Sequence, residues 1–71
     1  MNEVAVKGDF IKLEALLKFS GLCDTGGMAK TVVRDGEVKV NGEVCLQRGR
    51  KLRAGDEVEF AGTKLRVAAE P

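Results

Sequence analysis

An Asn-Gly pair between two alternating segments constrains the fold of this chain most strongly. In "EVKVNGEV" the pair Asn41-Gly42 separates valines that alternate with polar residues. Asn-Gly is the preferred sequence of a two-residue β-hairpin turn, because both turn positions need a positive φ. The turn would set Lys39 opposite Val44 and Val38 opposite Cys45.

The other predicted strands have weaker signals. In "DEVEFAGTKLRVA" a turn at Ala61-Gly62 would set Glu59 opposite Lys64 and Glu57 opposite Arg66, and opposed charges across strands are mildly stabilising. "MNEVAVKG" alternates as a short edge strand does. The residues of the second hairpin that would point inward are Val58, Phe60, Leu65 and Val67.

Two short amphipathic helices are predicted before the hairpins. In "FIKLEALLKFSG" the leucines recur at helical spacing, Asp9 is placed to cap the start and Gly21 to end the helix. In "DTGGMAKTVVRDG" Thr25 is a suitable N-cap and Gly36 ends the helix. The buried stripes would be Leu13, Leu16 and Leu17, then Ala29, Val32 and Val33. The sequence therefore predicts an α+β fold, with two short helices packed on a small, mostly antiparallel sheet.

The composition excludes several classes of site. The 71 residues correspond to one domain, and they contain no histidine, which is the usual general base and metal ligand. Cys23 and Cys45 belong to no metal-binding motif; they could form one disulfide, but the apolar neighbours of Cys45 favour buried, reduced thiols. No apolar stretch has the length of a membrane span. We expect a cytoplasmic protein without metal or cofactor.

Positive charge is concentrated in the middle of the chain. Residues 30–53 carry seven cations and three anions, a local net charge of +4, whereas the remaining residues carry five cations and eight anions, a net charge of −3. The densest part is "QRGRKLR" at 47–53, which we call the basic segment. A basic patch with an acidic remainder attracts a polyanion in a fixed orientation. A solvated loop that only maintains solubility is the alternative.

A second candidate site lies at the start of the second helix. In "TGGMAK" the residues Gly26 and Gly27 would leave backbone amides accessible to an anion, with Lys30 one turn away. The alternative is that the glycines only allow a tight corner against the first helix. A nucleotide-binding P-loop is excluded, because Gly27 stands where that motif needs its lysine.

Four blocks in order resemble the S4 RNA-binding domain. They are Lys-Leu-Glu at 12–14, Thr-Gly-Gly-Met-Ala at 25–29, Gly-Glu-Val-Lys-Val-Asn-Gly at 36–42 and Gly-Asp-Glu-Val at 55–58. The chain is similar to the small, free-standing bacterial members of that family. The resemblance implies a single S4-like domain over residues 1–71, with an L-shaped helix pair (the αL motif) whose corner grips RNA.

The resemblance and the charge pattern together give the candidate RNA-binding residues. Gly26 departs from the family, which has an arginine there, and cations of the basic segment could compensate. We expect phosphate contacts to structured RNA, of the ribosomal or transfer class, by a monomer that could join a ribonucleoprotein assembly. The candidates are Lys12, Thr25, Gly26, Gly27, Lys30, Lys39, Asn41, Arg48, Arg50 and Lys51.

Other functions have less support in the sequence. Phe10, Phe19 and Phe60 occupy apolar-pattern positions and are expected in the core, which disfavours recognition of single strands by base stacking. No catalytic constellation is apparent, so no enzyme is predicted. A protein–protein interaction module is an open alternative. A β-grasp sulfur carrier is another, although the chain ends in "VAAEP" where those proteins have Gly-Gly.

Overall fold

The computed structural model describes residues 2–70, which form two helices and seven strands. The elements are β1 (Asn2–Val6), β2 (Ile11–Lys12), α1 (Leu13–Phe19), α2 (Gly26–Arg34), β3 (Val38–Val40), β4 (Glu43–Val44), β5 (Lys51–Leu52), β6 (Glu57–Phe60) and β7 (Thr63–Ala69). Five strands form one sheet in the order β1-β7-β6-β3-β4, and β2 pairs with β5 in a second, two-stranded sheet. The predicted α+β architecture is confirmed.

Both predicted hairpins form with the predicted registers. Lys39 lies opposite Val44, and the amide of Cys45 donates to the carbonyl oxygen of Val38 at 3.0 Å. In the second hairpin, Glu59 lies opposite Lys64 and Glu57 opposite Arg66. Turn chemistry therefore sets the pairing of β3 with β4 and of β6 with β7. One pairing was not expected: β1 is an edge strand, as predicted, but it runs parallel to β7.

The helices bury the predicted stripes and end at the predicted glycines. Gly21 and Gly36 have φ of 83° and 76°, the left-handed conformation that ends a helix. The hydroxyl oxygen of Thr25 accepts from the amide of Met28 at 3.1 Å and so caps α2. The fully or almost fully buried helical side chains are Leu13, Leu16, Leu17, Ala29, Val32 and Val33.

The start of α1 differs from the prediction. Its N-cap is Lys12, which makes no side-chain capping bond, so Asp9 does not cap the helix. Instead, the amide of Leu13 donates to the carbonyl oxygen of Arg50 and the amide of Glu14 to that of Arg48, both at 2.9 Å. Two of the amides that lack a partner within the helix are thus satisfied by the basic segment.

The helices pack on one face of the five-stranded sheet, and the buried side chains form one continuous core. That core includes Leu52, the buried residue of the basic segment, which is 0% exposed. Because side chains alternate along a strand, the polar residues between buried ones on β3, β6 and β7 lie on the opposite face. We call this the outer face of the sheet; it carries Lys39, Glu57, Glu59, Lys64 and Arg66.

The expectation for the phenylalanines is wrong at two of three positions. Phe60 is buried, but Phe10 is 38% and Phe19 69% exposed. A helix advances by about 100° per residue, which puts Phe19 outside the stripe that begins at Leu13. Phe10 lies before the start of β2, on the connection from β1.

Both cysteines are free and buried, as expected for reduced thiols. Burial raises the pKa of the Cys23 thiol, and the neighbouring Asp24 carboxylate raises it further. The thiolate is the reactive form of cysteine. Cys23 is therefore a packing residue at neutral pH.

Candidate nucleic-acid interface

The basic segment is bound to the first turn of α1. Besides the two backbone hydrogen bonds, the Arg48 guanidinium approaches the Glu14 carboxylate, with Nε 3.6 Å from Oε2. Both side chains are partly exposed, so this ion pair adds little stability. The hydrogen bond from the Glu14 amide to the Arg48 carbonyl oxygen keeps Arg48 beside the helix pair, which a free loop would not do.

Arg48 lies at one side of an open groove between the helices, with a volume of about 510 Å³. The cations Lys18, Lys30 and Arg48 line it, together with the Glu14 carboxylate, so three positive charges face one negative charge. We call it the helix groove. Its lining residues are Glu14, Ala15, Lys18, Gly26, Gly27, Lys30 and Arg48.

The N-terminus of α2 opens into the helix groove. Among residues 2–70, the amides of Gly26 and Gly27 have no hydrogen-bond acceptor, since Thr25 caps Met28 instead. A Cβ at Gly26 would meet no atom within 4 Å, and one at Gly27 would meet only the Thr25 hydroxyl at 3.8 Å. Tight packing against α1 therefore does not explain these glycines. They leave two donors accessible at the positive end of the helix dipole.

The groove continues into a smaller cavity of about 270 Å³ that Lys30 and Arg48 also line. Val33, Arg34 and Leu46 complete its lining. The Arg34 guanidinium lies 3.5 Å from the Asp35 carboxylate and is mostly exposed. Basic side chains from α1, α2 and the basic segment thus share one surface.

Lys12 and Lys51 form a separate basic pair. They lie opposite each other where β2 and β5 meet, and neither lines the helix groove. The Lys51 ammonium is 4.9 Å from the centroid of the Phe10 ring, within cation–π distance. The β2–β5 pairing places these two cations beside the start of α1.

Asn41 is engaged in a turn rather than in the groove. Its side-chain amide donates to Asp56 Oδ1 at 3.2 Å, and its side-chain oxygen accepts from the Glu57 amide at 3.0 Å. Asp56 Oδ2 accepts from the Arg53 amide at 2.8 Å. This last bond is the main cause that lowers the Asp56 pKa; the Asn41 bond and the charges of Arg50 and Arg53 lower it further, while burial opposes them.

Lys39 lies away from the other candidates. It is on the outer face of the sheet, between Val44 and Glu59 of the neighbouring strands, whereas the helices cover the opposite face. The structure therefore groups the candidates into three places. The helix groove is lined by Gly26, Gly27, Lys30 and Arg48, and Thr25 caps the helix that begins there. The β2–β5 pair carries Lys12 and Lys51. The sheet and its turns carry Lys39 and Asn41, with Arg50 near Asp56.

Sequence reasoning missed two cations of this surface, Lys18 and Arg34. Their signal was helical phase, because Lys18 follows Glu14 by four residues and Arg34 follows Lys30 by four. In the part of the chain that the structure describes, no three His, Cys, Asp or Glu side chains cluster as metal ligands. Within that same part, neither helix has the length and apolarity to cross a membrane.

Comparisons with known proteins support the resemblance seen in the sequence. The S4 domain family model matches residues 4–68. A probable ribosome maturation protein of Bacillus subtilis (strain 168), RlbA, is 41% identical over 61 residues, which is 86% of either chain. The putative RNA-binding protein YbcJ of Escherichia coli (strain K12) is 38% identical over 63 residues, which is 89% of this chain and 90% of YbcJ.

The solution structure of E. coli YbcJ, described as revealing an αL motif involved in RNA binding, has the same fold. Its TM-score is 0.75 at 36% sequence identity, covering 97% of this chain and 89% of that one. The expected resemblance to small bacterial S4 proteins is confirmed. The chain belongs to the S4 domain family.

Proposed function

We propose that this S4 domain binds structured RNA by holding phosphate groups in the helix groove, without a catalytic step. The observation that carries the proposal is the groove itself, where Lys18, Lys30 and Arg48 surround the accessible N-terminus of α2. The ligand class is supported by the relatives, since YbcJ is named a putative RNA-binding protein and its αL motif is described as involved in RNA binding.

Phosphate fits the chemistry of this groove. Lysine and arginine provide mobile donors that neutralise phosphate charge and release counterions from the RNA. The amides of Gly26 and Gly27 add two fixed donors, and no acidic residue in the first turn of α2 offsets the helix dipole. Glu14 is the one carboxylate of the lining, and Arg48 is its ion-pair partner.

The β2–β5 pair would extend the interface beyond the groove. Arg48 lies in the helix groove, and three residues later Lys51 lies opposite Lys12. Even a fully extended chain advances only about 3.3 Å per residue, so the Cα atoms of Arg48 and Lys51 lie at most about 10 Å apart. One RNA strand could contact both.

The bound RNA would be of the ribosomal or transfer class. The Bacillus subtilis relative is named a probable ribosome maturation protein, which fits a structured RNA within a ribonucleoprotein particle. The protein would act there as a monomer. It would supply recognition and no chemistry.

A mobility-shift assay with a structured RNA hairpin at low and at physiological salt tests the proposal. We expect a complex at low salt whose affinity falls steeply as salt rises, because each neutralised phosphate releases counterions. No complex at low salt would contradict RNA binding and favour a protein–protein interaction module.

A further inference from the structure

A third cavity lies beside β5 and is walled by Phe10. It has a volume of about 280 Å³ and forms between the β1–β2 connection and the turn after β5. The buried side chains of Leu52 and Val67 form its apolar part, and Gly8, Asp9, Arg53 and Ala54 stand around it. We call it the Phe10 pocket. None of its lining residues lines the helix groove.

We propose that the Phe10 pocket accepts one unpaired nucleobase of the RNA that the helix groove holds. The inference rests on the proposed function and adds a class of substrate to it: structured RNA with an unstacked nucleotide. The occupant is argued from the pocket's size, its partly exposed aromatic wall, its free polar groups and the cations beside it.

The size and the walls fit a single planar heterocycle. The volume lies just below the roughly 300–1,000 Å³ of pockets that enclose drug-sized ligands. Phe10 is 38% exposed and lines the cavity. The Lys51 ammonium lies over one face of its ring, so a base would stack on the other face. Base stacking on an aromatic side chain contributes about 1–3 kcal/mol per base.

Polar groups without partners stand at the rim. Among residues 2–70, the backbone groups of Gly8, Asp9 and Ala54 make no backbone hydrogen bond, and the Asp9 carboxylate has no ion pair or hydrogen bond. Backbone groups can meet the donors and acceptors of a base edge, and a carboxylate can accept from an exocyclic amino group.

The charges beside the pocket connect it to the proposed RNA path. Arg53 lines the pocket, and Lys51 lies over the Phe10 ring at 4.9 Å without being part of the pocket lining. Both belong to the basic segment, whose Arg48 lines the helix groove. An RNA backbone that follows the basic segment brings its phosphates to Lys51 and Arg53. The base between those two phosphates is then free to enter the pocket.

Titration of the wild-type protein followed by NMR tests the pocket without any variant. The probes are adenosine 5′-monophosphate and ribose 5-phosphate, which carry the same phosphate and sugar but differ in the base. We expect the adenosine compound alone to shift the Gly8, Asp9 and Ala54 amides and the Phe10 ring protons. Equal shifts with both probes, or no shift with adenosine monophosphate, would overturn the proposal.

The same titration separates this proposal from the proposed function. Both probes should shift the amides of Gly26 and Gly27, because the phosphate alone is enough for the helix groove. If those amides do not move while the Phe10 pocket responds to the base, the groove proposal fails, and of the pocket proposal only the binding of a base stands.

Binding of two RNA hairpins gives the second measurement. One hairpin has an unpaired adenosine in its stem and the other has an abasic nucleotide at that position. Phe10→Ala should lower the affinity for the first about 5- to 150-fold, from the loss of stacking, and leave the second unchanged. Phe19→Ala is the matched control, since Phe19 is more exposed and lines neither the pocket nor the groove. Equal losses on both hairpins would contradict base insertion.

Discussion

Gly26 and Gly27 are positions where packing gives no reason for glycine. An added Cβ finds open space at Gly26 and ordinary contact distance at Gly27, and neither residue has a positive φ. Glycine within a helix costs about 0.5–1 kcal/mol relative to alanine. Residues that weaken a helix without helping it to pack are expected where a ligand must come close to the backbone. This agrees with a phosphate site at the start of α2.

Replacing both glycines tests that reasoning. The double variant Gly26→Ala/Gly27→Ala should keep or raise the free energy of unfolding, by up to about 1 kcal/mol, and should weaken RNA binding, because the methyl groups hinder approach to the amides. Urea unfolding and a mobility-shift titration measure the two effects.

Gly49→Ala is the matched control for the glycine pair. Its added methyl group also meets no atom, and Gly49 does not line the helix groove. Because Gly49 belongs to the basic segment and not to a helix N-terminus, this variant should lower RNA affinity less than the double variant does. Unchanged affinity in the double variant, at undiminished stability, would remove the α2 amides from the site.

At the scale of the elements, the two hairpin turns have the same backbone conformation but different residues at their first turn position. Asn41-Gly42 and Ala61-Gly62 both have positive φ at each turn position, 52° and 86° in the first turn, 52° and 80° in the second. Asparagine tolerates this conformation, whereas for other L-residues it costs about 1–2 kcal/mol. The turn at Ala61 is therefore the strained one.

The variant Ala61→Asn should relieve this strain. It would give the β6–β7 turn the same Asn-Gly sequence that the chain uses between β3 and β4, and we expect the free energy of unfolding to rise by about 0.5–1 kcal/mol. Equilibrium urea unfolding measures it. The control Ala15→Gly, at an exposed position inside α1, should lower stability by about 1 kcal/mol. A less stable Ala61→Asn protein would contradict the strain argument.

The comparison of these elements also explains what could be predicted from the sequence. The hairpin registers, the start of α2 and the C-terminal ends of both helices were predicted correctly because they depend on local residues, such as Asn41-Gly42, Thr25 and Gly36. The N-cap of α1 was predicted wrongly. The β2–β5 and β1–β7 pairings were not, since they join distant segments, and two-residue strands have no periodicity. For the same reason no local pattern indicated that the basic segment would satisfy the amides of α1.

The Gly55-Asp56 turn makes a pH dependence predictable. The folded state holds the Asp56 pKa below its ordinary value, chiefly through the hydrogen bond from the Arg53 amide. Asp56 therefore stabilises the protein above the unfolded-state pKa, near 3.8, and this contribution is lost as the pH falls through the lower folded-state pKa.

The variant Asp56→Asn should lose less stability than the wild type when the pH is lowered from 7 to about 3, because its side chain does not titrate. Urea unfolding at the two pH values measures the difference. An equal loss in both proteins would show that the turn does not contribute to acid sensitivity.

At the scale of the whole molecule, the position of charge matters more than its sum. The chain has a net charge of only +1. The helix groove nevertheless combines three cations with one carboxylate, while on the outer face of the sheet Lys39, Lys64 and Arg66 alternate with glutamates. Arg66 is held 3.0 Å from Glu57. Cations whose charge is balanced by neighbours attract a polyanion less than cations that converge.

Two triple variants with the same change in net charge separate the effect of where the cations lie from the effect of the total charge. The groove variant replaces Lys18, Lys30 and Arg48 with alanine, and the outer-face variant replaces Lys39, Lys64 and Arg66; each lowers the net charge from +1 to −2. If the groove holds phosphates, the first should flatten the slope of log affinity against log salt by roughly three units. The second should change it by less than about one unit, because general attraction at long range is screened beyond about 8 Å in physiological salt. Salt titrations with one structured RNA measure both slopes. Equal flattening in the two variants would mean that the RNA responds only to total charge, and the groove would then have no special role.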